Sequence, residues 1–512
     1  MENDPAEVRG EIRRIVMEYI LAIDQGTTGS RAIIYNKAGR MVTSAYEEFP
    51  QYFPKPGWVE HDPLEIWQSV NHSIQNVLRK IPGTGICAIG ITNQRETTVI
   101  WDRVTGKPVY NAIVWQCRRT APRCKELKKE LNTAEFFNKK TGLPVDAYFS
   151  ATKIEWILKN IPGVKALARR GRLLFGTTDT WVLWKLTGGR AHATDYTNAS
   201  RTMLFNIKTL AWDKEILRLL KIPAGMLPEV KKSSGNFGYT AKAGILPSGI
   251  PVSGIAGDQQ AALFGQACFS PGTMKNTYGT GSFILLNTGK KRTVSRYGLI
   301  TTIGCGARGE PVYVLEGAVF VAGSAIQWLR DKLKLLFVAA ESEKMALSVR
   351  DNAGVYFVPA LVGLGAPYWD SDARGALFGI TRGTQGAHIV RAALEAMCYQ
   401  TKDVVEAMQK DSGLKIKSLK VDGGAAANNF LCQFQADILG IEVVRPFVIE
   451  VTSLGVAYLA GLAVGYWKDA VDISKRWTIE RVFRPKMDKK ASHDLYRGWR
   501  DAVSRTLSRQ GR

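Results

Sequence analysis

An α/β protein built from two domains of like plan is what this sequence predicts, and three observations carry the prediction. The chain has 512 residues, well past the ~250–300 at which one hydrophobic core stops growing. Apolar strand runs alternate with segments of helical spacing along most of its length. The plan also repeats. "YILAIDQGTTGSRAIIYN" (19–36) reads as strand, Gly/Thr turn, strand, and "GTMKNTYGTGSFILLNTG" (272–289) reads the same way half a chain later.

Taken in order, residues 1–18 form an N-terminal extension in which Val8, Ile12 and Ile15 have the spacing of one short amphipathic helix. The first hairpin follows, its tip unusually polar. "DPLEIWQSVNHSIQNVLRKI" (62–81) has helical periodicity, with Asp62 as N-cap and Pro63 in the first turn. "GICAIGITNQRET" (85–97) is a buried strand that ends in polar residues. Further on, "SGIAGDQQAALFGQ" (253–266) places one acid, Asp258, between small residues and an apolar run. A carboxylate entering a core unpaired is costly, so this one needs a purpose. Turn signals in "GQACFSPG" (265–272) put the domain boundary there, giving domains of 19–267 and 268–512. In the second domain "LKVDGGAAANNFLCQFQADILG" (419–440) reads as strand, Gly-Gly turn and a helix starting near Asn428. "VTSLGVAYLAGLAVGYW" (451–467) is shorter than the ~20 apolar residues of a membrane span and reads as a buried helix.

Bulk composition narrows the classes. Hydrophobic residues at 45% and charged residues at 22% exclude a disordered or fibrous chain. The net charge of +23 suits an anionic ligand. Its carriers are scattered pairs with no basic tract, so neither nucleic acid nor a membrane is expected as partner. Seven Cys without a C-x-x-C and a leading segment without an apolar stretch point to a reducing, cytoplasmic setting.

Chemistry comes from the Gly-rich tips. Backbone N–H groups and Thr hydroxyls on a hairpin tip suit phosphate, and two facing tips would clamp a polyphosphate. No G-x-x-x-x-G-K-[ST] occurs, and no G-x-G-x-x-G follows a strand. The helix start after Gly423-Gly424 is a third place for phosphate or a flat base. Arg95 and Glu96 combine donors and acceptors that suit neighbouring hydroxyls of a polyol. Each feature has a plain structural reading as well: a turn for one tip alone, a surface ion pair for Arg95-Glu96. An Asp beside phosphates suffices for Mg²⁺.

Taken together, "DQGTT" (24–28), "NQRET" (93–97), "WQCRR" (115–119), "YFSATKIEWIL" (148–158), "GDQQAALFGQ" (257–266), "NTYGTG" (276–281), "GLGAPYWD" (363–370), "GALFGITRG" (375–383) and "DGGAAANNF" (422–430) resemble the glycerol kinase family of sugar and polyol kinases. The resemblance spans residues 19 to about 500. It implies two ribonuclease-H-like, actin-like ATPase domains flanking an active-site cleft, and ATP-dependent phosphorylation of glycerol to sn-glycerol 3-phosphate with release of ADP. Position by position, it implies that Thr27, Thr28, Gly29 and Arg31 hold nucleotide phosphates and that Asp24 holds Mg²⁺. Thr280, Gly323, Gln327, Gly424 and Asn428 would line the rest of the nucleotide site. Glycerol would sit among Thr27, Arg95, Glu96, Tyr148, Asp258 and Gln259, against Trp115 and Phe283, with Asp258 as general base. A homo-oligomer, dimer or tetramer, is expected. Gly29 departs from the many relatives with Ser there. The loop 242–249 lacks the Gly-Gly-x-Arg of fructose 1,6-bisphosphate-regulated relatives, and residues 230–250 lack a phosphorylatable His, so neither control is expected. Two other readings remain open: a kinase for another small polyol or ketose, and an actin-like ATPase switch without a substrate.

Overall fold

The structure, a computed structural model, describes residues 18–508 except 82, 131, 132 and 243. The short helix expected within residues 5–18 lies outside the described residues. The first hairpin is present as β1 (Tyr19–Gln25) and β2 (Gly29–Tyr35), followed by β3 (Met41–Glu48), α1 (Pro63–Leu78) and β4 (Ile86–Asn93). Asp62 caps α1 by accepting from the Leu64 N–H, with Pro63 in the first turn. After α2 (Ser150–Asn160) and α3 (Thr178–Leu186), β5 (Ser234–Tyr239) leads to β6 (Pro251–Gly257) and α4 (Asp258–Gly265). These strands form one sheet in the order β5-β6-β4-β1-β2-β3, with β1, β4 and β6 parallel.

The second hairpin, β7 (Met274–Tyr278) and β8 (Ser282–Gly289), opens the other large sheet. It continues with β9 (Ile300–Cys305), β10 (Pro311–Val319), α5 (Gly323–Asp331), α6 (Gly386–Ser412), β11 (Ser418–Asp422) and α7 (Asn429–Leu439). Then come β12 (Glu442–Pro446), α8 (Val451–Ala463), β13 (Ile479–Phe483) and α9 (Lys489–Thr506). The order is β9-β10-β8-β7-β11-β12-β13. Each sheet contains the same five-strand core, three antiparallel strands and then two parallel ones: β3-β2-β1-β4-β6 and β10-β8-β7-β11-β12. The repeat read from the two Gly/Thr tips is therefore a repeat of topology.

Both faces of the first sheet are covered, which is why β1 reads as a continuous apolar run. Leu21 and Ile23 pack with Val70, Ile74 and Val182 of α1 and α3. Ile20 and Ala22 point the other way, onto Val456, Ala457 and Ala460 of α8. That helix belongs to the second half of the chain. After β12 it leaves its own sheet and lies across β1, β4 and β6, while α4, which follows β6, lies against β7, β8 and β9. The two helices cross at Gly265 and Gly455, where a Cβ would strike the carbonyls of Val451 and Ala261 respectively. The change of sheet after residue 265 is thus not a packing boundary.

Candidate active site

Strand register brings the sequence motifs together. Gln25 pairs with Asn93 and Asn93 with Gly257, so β1, β4 and β6 end side by side. The first tip, the segment 94–96 and Asp258 consequently share one rim, at the carboxyl ends of parallel strands where open α/β sheets place their ligands. Gln94 ties the segment to the tip, its N–H donating to the Gln25 carbonyl at 2.7 Å and its Nε2 to that of Gly26 at 3.1 Å. In the second sheet Thr277 pairs with Asp422, which sets the Gly279-Thr280-Gly281 tip beside the Gly-Gly turn.

Asp258 is the first residue of α4, with its side chain 32% exposed. Its Oδ1 accepts from the Gln259 N–H at 2.7 Å and meets Arg95 Nε at 3.0 Å. Oδ2 has one long contact, from Gln259 Nε2 at 3.3 Å, and is the freer oxygen. The acid thus stands part-exposed at the rim, and its apolar follow-on residues are the helix behind it.

Arg95 and Glu96 are buried and do not pair with each other, unlike a surface ion pair. Arg95 forks onto Glu316, Nη1 to Oε2 at 2.6 Å and Nη2 to Oε1 at 3.1 Å, and Nη1 also donates to Gln260 Oε1 at 3.2 Å. The fork expected to face polyol hydroxyls is therefore mostly spent, with one Nη2–H left. Glu96, at φ +61, accepts from Arg201 Nε at 2.6 Å. Burial raises the Glu96 carboxyl above its ordinary value against the pull of Arg201 and Arg95. Burial raises that of Glu316 as well, but there the two guanidiniums win and hold it low.

Around this pair the aromatic set closes. Trp115 donates Nε1–H to Thr27 Oγ1 at 3.0 Å and meets Tyr148 edge-on at 5.7 Å. Phe283 of β8 lies 5.7 Å under the Arg95 guanidinium. Thr27, Arg95, Glu96, Trp115, Tyr148, Asp258, Gln259 and Phe283 are thereby linked through these contacts and the shared rim. Three further residues join them unheralded by any motif: Glu316, Arg201 and Lys275. Lys275 of β7 is fully buried and donates to Gln259 Oε1 at 2.5 Å and to Thr277 Oγ1 at 2.6 Å. Burial pushes its ammonium down to about 8, against Asp422 and Asp258. Glu316 could have been found by the argument used for Asp258, being a lone acid in the apolar run "YVLEGAVF". Arg201 carries no such signal.

Asp24 is the penultimate residue of β1, its carboxyl pushed up to about 7, by burial first and then by Asp258 and Glu450. A cation beside Asp24 would offset the repulsion of Asp258 and Glu450, and carboxylate oxygens are donors that suit Mg²⁺. Among the described residues no group of three or more His, Cys, Asp or Glu could hold a metal ion, so the ion would take most ligands from phosphate and water. Arg31 pairs with Glu450 at 2.6 Å and sits 5.4 Å over the Tyr46 ring. Thr28 Oγ1 lies 3.1 Å from Tyr46 Oη. At Gly29 a Cβ would come within 2.6 Å of the Glu47 carbonyl and of the Tyr46 ring, so the Ser of many relatives has no room here.

The other residues expected to line a nucleotide site lie around the second tip and the Gly-Gly turn beside it. Thr280 is exposed, and its carbonyl accepts from the N–H groups of Ala322 and Ser324 as α5 begins. Gly323 donates to the Gly279 carbonyl at 3.0 Å, and Gln327 is exposed one turn along. Gly424 faces open space. Asn428 is committed to capping α7, its Oδ1 accepting from the Leu431 N–H at 2.9 Å.

Comparison with known proteins agrees with this fold. The model of the FGGY family of carbohydrate kinases, N-terminal domain, matches residues 19–265, and that of the C-terminal domain matches residues 274–464. The chain is 60% identical to glycerol kinase 2 of Thermotoga maritima over 493 residues, 96% of this chain and 99% of the relative. It is likewise 60% identical to glycerol kinase of Caldanaerobacter subterraneus over 492 residues, with the same coverage. Among solved structures, the glycerol kinase of Plasmodium falciparum with ADP superposes with a TM-score of 0.90 at 40% identity, covering 96% of this chain and 99% of that one. A gluconate kinase of Lactobacillus acidophilus, at 23% identity and a TM-score of 0.86, shares the fold.

Proposed function

Because the chain belongs to the FGGY family of carbohydrate kinases, we propose that it transfers the terminal phosphoryl group of ATP to glycerol, giving sn-glycerol 3-phosphate and ADP. The observation that carries this reading is the placement of Asp258, a half-exposed carboxylate with one oxygen fixed by Arg95 and Gln259 and the other freer. A glycerol hydroxyl has a pKa far above 7, so its proton must leave as the new bond forms. Asp258 Oδ2 takes that proton. The hydroxyl oxygen bonds to the γ-phosphorus, the bond from phosphorus to the β–γ bridging oxygen breaks, and ADP departs with the electron pair.

The other residues position and screen. Glu96 and the remaining Nη2–H of Arg95 hold vicinal hydroxyls, with Trp115, Tyr148 and Phe283 against the carbon chain. Thr27, Thr28, Gly29 and Arg31 on one side, and Thr280, Gly323, Gln327, Gly424 and Asn428 on the other, embrace the nucleotide. Asp24 would hold Mg²⁺, which would supply countercharge for the transferring group. Arg31 must then exchange Glu450 for phosphate.

A direct test is ADP release with ATP and Mg²⁺ against glycerol, dihydroxyacetone, erythritol and xylulose. Glycerol is expected to give the highest kcat/KM. A different best substrate makes the chain another polyol or ketose kinase, and release without any polyol makes it a nucleotide switch. Asp258→Asn is expected to lower kcat ~10²-fold or more while ATP binding persists; turnover near wild type would remove Asp258 from the role of base.

A further inference from the structure

We propose that Glu316 is a positioning residue which fixes both polyol-holding side chains, Arg95 and Glu96, and does so from the opposite sheet. The inference rests on the glycerol reading of the site. Glu316 lies on β10, whereas Arg95, Glu96 and Arg201 all come from the first half of the chain. Its carboxylate is fully buried. One oxygen receives Arg95 Nη1 and the other receives Arg95 Nη2, a bidentate clamp that fixes the plane of the guanidinium. The second oxygen also lies 3.1 Å from Arg201 Nη2. Both Nη groups of Arg201 are buried without a hydrogen-bond partner, so this contact is an ion pair off the hydrogen-bonding direction.

Two consequences follow from the charges. Arg95 and Arg201 are buried guanidiniums brought to the same carboxylate, and without Glu316 their like charges would confront each other in a medium that screens poorly. That repulsion would shift Arg201 within its packed surroundings and loosen the hydrogen bond that orients Glu96. Glu96 depends on that bond. Its backbone sits in the left-handed region at φ +61, held by Ser150 Oγ and Lys153 Nζ donating to its carbonyl, while Arg201 Nε donates to its carboxylate. The rings of Tyr148 and Phe149, 5.5 Å and 5.4 Å from the Arg201 guanidinium, close the remaining sides. Donor and acceptor for a pair of vicinal hydroxyls are thus set by one carboxylate that the nucleotide-side sheet contributes. The polyol pocket is incomplete until the two sheets meet.

Steady-state kinetics of Glu316→Gln and Glu316→Asp test the proposal, after glycerol-dependent ADP release has been measured for the unaltered protein. If the unaltered protein shows no such release, the glycerol reading fails and the positioning role falls with it. Where release is present, Glu316→Gln is expected to raise KM for glycerol about tenfold or more with KM for ATP within about twofold. Glu316→Asp, which keeps the charge on a shorter stem, should fall between it and the unaltered protein. A merely structural role would move both KM values and Tm together. Glycerol KM within about twofold of the unaltered protein in a folded variant, or both KM values rising in step, overturns the proposal. Should the Gln variant fail to fold by circular dichroism, the Asp variant alone decides between these outcomes.

Discussion

Gly29 and Tyr46 show how one position is written into its neighbours. The tip of the first hairpin is narrow because the Tyr46 ring and the Glu47 carbonyl occupy the space that a side chain at residue 29 would need. In return Tyr46 supports Thr28 and Arg31. Gly29→Ser is therefore expected to cost about 1–3 kcal/mol in stability by overpacking, measured by chemical denaturation, with Tyr46→Ala relieving only part because the Glu47 carbonyl stays. His61 gives a second residue-scale expectation. It is buried against Gln51 and Phe49, and burial alone pushes its imidazole down to about 4. Since the folded value lies below the unfolded ~6.5, the unfolded chain binds the proton more readily, and stability is full above pH 6.5 and lost as pH falls toward 4. That loss amounts to roughly 2–4 kcal/mol at pH 4, readable as a fall in Tm that His61→Gln reduces.

Elements were legible to different depths. The two hairpins, the capped helix at Asp62 and the strand-to-helix junction at Asp258 all announce themselves through local chemistry: apolar runs, cap residues, a lone acid among small side chains. What stayed illegible depends on contacts between distant stretches. Lys275 sits in an ordinary strand, Glu316 shows only as a lone acid in an apolar one, and Arg201 follows the short helix Tyr196–Ala199. Glu316 and Lys275 belong to the site only because β10 and β7 face the ends of β1, β4 and β6, and Arg201 because it reaches Glu96 from far along the same half of the chain. Periodicity likewise predicted a buried helix over 451–467, of which Val451–Ala463 is helical, but could not say which sheet it buries against. At this scale the crossing of α4 and α8 is the element most exposed to change. Gly455→Ala puts a methyl onto the Ala261 carbonyl, and a loss of about 1–3 kcal/mol is expected, seen as a lower denaturation midpoint with an unchanged m-value.

For the whole molecule, the exchange of helices means that neither half is a self-sufficient folding unit. Residues 18–267 alone would leave Ile20, Ala22, Ile33 and Ala256 without the cover of α8. We expect that fragment to aggregate when expressed by itself, and co-expression with residues 268–508 to restore soluble material and glycerol-dependent ADP release. A soluble, cooperatively melting fragment would contradict this.

The same crossing sets an order of events during synthesis. The first sheet has all its strands once residue 257 has left the ribosome, yet the helix that seals its second face ends at residue 463. At about 5–20 residues per second, the intervening stretch of about 200 residues takes roughly 10–40 s. Through that interval an apolar sheet face waits uncovered on the nascent chain, until about nine-tenths of the protein has been made.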